Sequence, residues 1–159
     1  MHHPSFAAVP TFFLLSLAAS LPAADAREEK AVKEALAKVT GTWKIESETI
    51  DGAKTPPEAL LDFALQFKEG GRFVLAKNGE AVWVGRFTVD PAPSPQRVVV
   101  LPDQDGADLP PTHRGIYKFD GDRLIVCLSA RVDSVAYPKE FASGPRSGYT
   151  LWVLRRANR

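Results

Sequence analysis

Turn signals recur at short intervals between Gly41 and Arg156, and their spacing bounds the fold. Asp51-Gly52, Gly70-Gly71, Asn78-Gly79 and Asp120-Gly121-Asp122 cut this stretch into segments of strand length. Asn-Gly is the strongest of them, because a type I′ hairpin turn needs positive φ at both central residues. Trp43, Ile45, Ser47 and Thr49 alternate with Lys44, Glu46 and Glu48, which predicts one face in a core and one in water. Further strands are expected over 64–68, 72–77, 80–89, 97–101, 113–119, 123–129 and 149–155, with one helical turn over 59–63 opened by Pro56-Pro57-Glu58. Eight strands at this spacing predict an all-β fold, an antiparallel meander closing into an eight-stranded barrel.

Ahead of the barrel domain, 41–159, the period changes. Ala31, Val32, Ala35, Leu36 and Val39 share one helical stripe, and Glu29 with Lys33 and Glu34 with Lys38 pair at i, i+4 on the wet side. Residues 27–40 therefore read as a short amphipathic lead-in helix. Residues 1–26 read as a signal peptide. Phe6 to Leu17 is an apolar run shorter than the roughly 20 residues that span a bilayer, and Ala24-Asp25-Ala26 supplies an A-x-A site before Arg27-Glu28-Glu29-Lys30. The expectations are cleavage after Ala26, a periplasmic or extracellular location, and no transmembrane segment in the mature chain.

The chain of 159 residues has 20 Lys and Arg against 19 Asp and Glu, a formal charge of +1. There is no basic excess to neutralise a phosphate backbone, so nucleic acid is not an expected partner. One Cys excludes an intramolecular disulfide, and three His, two of them at positions 2 and 3, argue against an all-His metal site. Cys127 falls in the apolar run Leu124-Ile125-Val126-Cys127-Leu128 and is expected to be buried and inert. A dyad of Cys127 with His113 is not expected: a turn at Asp120-Gly121 sets Cys127 opposite Arg114, and a turn over 120–122 sets it opposite Gly115. The chain has no phosphate-cradling glycine loop, no G-x-S-x-G, no H-E-x-x-H and no dinucleotide fingerprint. No catalytic residue and no cofactor is assigned.

Gly41-Thr42-Trp43 at the head of the first strand resembles the G-x-W signature of lipocalins. That resemblance implies a barrel closed at its base by Trp43, with Arg155 or Arg156 from the last strand lying across the indole ring. A closer match runs through most of the mature chain. Gly41-Thr42-Trp43, Asp51-Gly52, Gly115 to Leu124 leading into Val126-Cys127-Leu128, Tyr137 to Ser143, and Leu151 to Arg156 resemble a family of small uncharacterised secreted domains abundant in planctomycete bacteria. It implies a lipocalin-like barrel with no established catalytic residue.

Three functional readings follow. The first is a non-enzymatic binding domain that holds a small apolar or amphipathic ligand, with Phe67, Phe73, Trp83, Phe87, Tyr117 and Tyr149 pointing inward to line the barrel or to fill it. The second is a protein-interaction or envelope-associated module using the proline-rich loops 91–95 and 102–111 as one rigid binding edge. A hydrolase ranks third, since Glu58 with Asp62 and Asp120 with Asp122 read equally as cap and turn residues. Asp103, Asp105 and Asp108 around Gly106 form a weak calcium candidate that departs from the EF-hand pattern.

Overall fold

The computed structural model describes residues 23–103, 112–131 and 135–157. Nine strands follow the helix α1 (Ala23–Val39): β1 (Gly41–Ile50), β2 (Ala53–Lys54), β3 (Phe63–Lys68), β4 (Arg72–Lys77), β5 (Glu80–Asp90), β6 (Gln96–Pro102), β7 (His113–Asp120), β8 (Arg123–Ser129) and β9 (Tyr149–Arg156). A single turn of helix, α2 (Pro57–Leu60), has proline in its first turn as expected. Each of β3 to β8 pairs antiparallel with the next, and β1 pairs with both β3 and β9, so eight strands close into a barrel. The two-residue β2, absent from the sequence reading, only folds back on the end of β1.

Inward-facing residues from every barrel strand merge into one core, including Trp43, Leu65, Phe67, Phe73, Phe87, Val98, Tyr117, Leu124, Trp152 and Leu154. Two-residue periodicity explains most of this, since alternate side chains share a face. One strand breaks it. In β1, Ile45 pairs with Leu154 but Ser47 pairs with Val153, so Glu46 is the extra residue of a β-bulge. The sequence reading placed Ser47 and Thr49 inward and Glu48 in water. The bulge reverses this beyond Ile45: Glu48 and Ile50 join the inward positions, opposite Trp152 and Thr150.

The base of the barrel is closed by α1 and by both ends of the sheet. Ala35 and Val39 are buried against the core, with Leu36 packed beside them. The helix C-terminus leaves carbonyls without partners along the axis, and the barrel supplies donors for them. Trp43 Nε1 donates to Val39 O at 2.8 Å, while Arg156 donates from Nη2 to Lys38 O at 2.7 Å and from Nη1 to Thr40 O at 3.0 Å. The Arg156 guanidinium lies 4.4 Å from the Trp43 ring centre. Of the two candidate arginines, Arg156 is therefore the one that covers the indole; Arg155 pairs with Glu46 at 3.1 Å on the outer face. Gly41 is required here: its φ is 140°, and a Cβ would stand 2.5 Å from Arg156 Nη1.

The β7–β8 register corrects the sequence reading. Asp120 pairs with Arg123, which leaves Gly121-Asp122 as the turn and sets Cys127 opposite Ile116, not Arg114 or Gly115. Cys127 and Ile116 project from the outside of the barrel, yet they are 0% and 1% exposed. Residues 137–148, between β8 and β9, strap over them. Tyr137 stacks under Arg97 at 4.6 Å and Phe141 under Lys118 at 4.7 Å, while Cys127 Sγ donates to Ala142 O at 3.5 Å. The far end of the strap is tied to the β1–β2 turn: Gly148 N donates to Asp51 Oδ1 at 2.5 Å and Asp51 N to Tyr149 O at 3.1 Å.

Candidate functional site: the barrel mouth

Five of the six aromatics expected to line or plug the barrel pack against one another or against a neighbouring ring. Phe67 meets Phe87 edge-on at 4.8 Å, Phe73 meets Trp83 at 5.2 Å, and Tyr117 meets Phe119 at 6.2 Å. What is left between them is a cavity of about 20 Å³ lined by apolar side chains and Tyr117. That is about the room of one water. These residues fill the barrel. Tyr149 does not belong with them: Leu128 and Val126 pair with Thr150 and Trp152 on the inward face, so Tyr149 stands on the outer one.

A second concavity, of about 220 Å³, opens at the end of the barrel opposite α1 and is lined by Glu48, Ile50, Trp83, His113, Leu128, Ser129, Ala130, Thr150 and Trp152. It adjoins the interior, with Trp83, Leu128 and Trp152 lining both spaces. Each wall follows from local sequence. The β1 bulge turns Glu48 inward, and alternation along β9 delivers Trp152 and Thr150 to the same face. On β7 the odd-numbered positions point inward, which carries His113 to the rim, where its ring meets Trp83 at 5.8 Å.

The polar groups of this cup are held in place. Glu48 Oε1 accepts from Trp152 Nε1 and Oε2 from Thr55 Oγ1, each at 2.7 Å. His113 Nδ1 lies 2.9 Å from Ser129 O. A carbonyl only accepts, so Nδ1 carries the hydrogen, and Nε2 of the neutral ring is an acceptor. Sequence reasoning considered His113 only as a partner for Cys127. In the fold they are on opposite faces of the sheet, with His113 in the mouth and Cys127 beneath the strap, and burial raises the pKa of the thiol. Glu48 and Trp152 were missed altogether. Glu46-Ser47-Glu48 is polar at each position, so nothing in its pattern marks a bulge.

Three further grooves flank α1 at the base, with volumes of about 400, 370 and 200 Å³. The first is walled by lysines, glycines and helix side chains, and in the second Arg156 already covers the Trp43 ring. The mouth alone among these spaces combines indoles with a carboxylate and an imidazole. Of the calcium candidate, Asp103 pairs with Arg72 at 3.0 Å, whereas Asp105 and Asp108 lie outside the described residues. Among the described residues no cluster of three or more His, Cys, Asp or Glu has the arrangement to hold a metal ion. The proline-rich loops 91–95 and 102–111 join opposite ends of β6, and residues 104–111 of the second lie outside the described residues. Comparison of the chain with protein-family models, with curated proteins and with solved structures finds no significant match.

Proposed function

We propose that the protein is an exported, lipocalin-like binding domain whose ligand sits in the mouth of the barrel and not in a deep central pocket. The observation that carries this reading is the contrast between the filled interior, about 20 Å³, and the open cup of about 220 Å³ with ordered polar groups at its wall. Ligand sites combine mostly apolar walls with a few fixed polar groups. Trp83, Trp152, Leu128 and Ile50 supply the former, and Glu48 and His113 supply the latter. Export rests on the apolar run and A-x-A site of residues 1–26.

A screen of small aromatic fragments by two-dimensional NMR tests the reading. Shifts are expected at the indole N–H groups of Trp83 and Trp152 and at His113. Shifts confined to the grooves around α1, or none with any fragment, would overturn it.

A second reading, a protein partner seated on the mouth rim, draws on the exposed apolar side chains. Ile50, Leu61 and Val82 are 43%, 72% and 53% exposed, and all three belong to segments at the mouth end. Under this reading Leu61→Asp with Val82→Asp abolishes partner binding; under the first it leaves fragment binding in the cup unchanged.

A further inference from the structure

Two glutamates, two residues apart on β1, are treated in opposite ways. Glu46, on the outer face, is met by Arg123 at 2.6 Å and by Arg155 at 3.1 Å. Glu48, turned inward by the bulge at Glu46, accepts only from neutral donors, the Trp152 indole and the Thr55 hydroxyl. Among the described residues no lysine or arginine forms an ion pair with it. We infer that the mouth takes a small organic cation, its ammonium group on the Glu48 carboxylate and its apolar part against Trp83 and Trp152. This rests on the reading of the mouth as a ligand site and names the class of ligand.

The chemistry of the wall favours positive charge at each point. A carboxylate offers about four lone-pair positions, and two neutral hydrogen bonds orient Glu48 without neutralising it. The other titratable group lining the cup is His113, which offers an acceptor at Nε2 when its ring is neutral with the hydrogen on Nδ1. Indole faces carry negative quadrupole density and attract ammonium groups. The indole N–H nearest the carboxylate is already donated to it, so that an anion entering beside Glu48 meets like charge and no free donor from Trp152. Size sets a further limit. At about 30 Å³ per liquid water, the cup holds about seven waters' worth of volume, which suits a single ring with a short amine arm.

Three probes of one shape and different charge test this: 2-phenylethylamine, 2-phenylethanol and phenylacetate at pH 7, titrated into the full domain and followed by the indole signals of Trp83 and Trp152. The amine is expected to bind about tenfold more tightly than the alcohol, with phenylacetate the weakest. Glu48→Gln, which retains an acceptor for Trp152, is expected to bring the amine to the level of the alcohol. Equal or tighter binding of the alcohol or of phenylacetate in the mouth overturns the cation and leaves the mouth site standing. An amine preference that survives in folded Glu48→Gln overturns the role of Glu48. No response of either indole to any of the three overturns both the inference and the reading beneath it. If Glu48→Gln does not fold, the ranking of the three probes on the native protein still decides.

Discussion

The guanidinium of Arg156 lies 4.4 Å over the Trp43 ring while its two terminal nitrogens donate to Lys38 O and Thr40 O. One side chain at the end of the last strand thus joins the start of the first strand to the end of the helix. Replacing it removes a cation–π contact worth about 0.5–2 kcal/mol and strips the helix terminus of charged donors.

Arg156→Ala is expected to lower unfolding stability by about 2 kcal/mol, read as a lower denaturant midpoint at unchanged slope. Arg156→Lys is expected to recover less than half, because an ammonium lacks the planar fork that serves two carbonyls and the ring at once. An unshifted midpoint in Arg156→Ala removes the clasp as a source of stability.

Glu46 is held below its ordinary pKa, first by the hydrogen bond from Arg123 and then by the nearby charges of Arg123 and Arg155, which outweigh its slight desolvation. A carboxyl depressed in the folded state contributes stability above its unfolded pKa and loses it as pH falls through the folded value. Wild type should therefore exceed Glu46→Gln in Tm at pH 7, with the gap closing below about pH 4 and narrowing in 1 M salt. Parallel melting curves across that range would count against it.

Tyr117 is buried and its hydroxyl has no hydrogen-bond partner among the described residues. Burial, with a smaller effect from the Asp90 charge, pushes its pKa up to about 12. The protonated form is the one the fold favours. Its contribution is whole below the unfolded phenol value of about 10, and as pH rises through the folded value about 2–3 kcal/mol is lost. Tyr117→Phe should abolish this alkaline loss and, by removing an unsatisfied hydroxyl, gain about 1 kcal/mol at pH 7. Denaturant titrations at pH 7 and pH 11 check both parts, and a destabilised Tyr117→Phe at pH 7 contradicts the second.

Cys127 is sealed by the strap, and burial raises its thiol pKa. Native protein should resist iodoacetamide at pH 8 and react fully in denaturant. Phe141→Ala, which removes the ring beneath Lys118, is expected to speed native labelling at least about tenfold, since strap opening would then need about 1.4 kcal/mol less. Mass spectrometry of the alkylated protein gives the rate; equal rates in the two proteins would show that Phe141 does not hold the strap.

Periodicity and turn chemistry carry the barrel almost completely. The bounds of β4 and β8 fall where alternation and glycine place them, because alternate residues between the turns face the core. Register is less legible. Asp120, Gly121 and Asp122 are all good turn residues, so composition does not say which two form the turn, and the pairing slips accordingly. The mouth is less legible still. Its carboxylate depends on one inserted residue in a polar run, and a shift of one position exchanges the inner and outer faces of everything beyond it. Cys127 was read as buried and is, but a strand pattern does not tell a barrel interior from an outer face covered by a distant segment; Phe141 and Tyr137 hold that cover through Lys118 and Arg97, contacts between residues far apart in sequence.

The clasp at the base also orients the molecule. Gly41 and Arg156 are in contact range, and Ala157 N donates to Thr42 O at 2.9 Å, so the chain enters and leaves the sheet at one pole. The cup of Glu48, His113, Trp83 and Trp152 is at the other. A bead or sensor chip coupled beside Arg156 and Ala157 therefore holds the domain with its cup facing the solution.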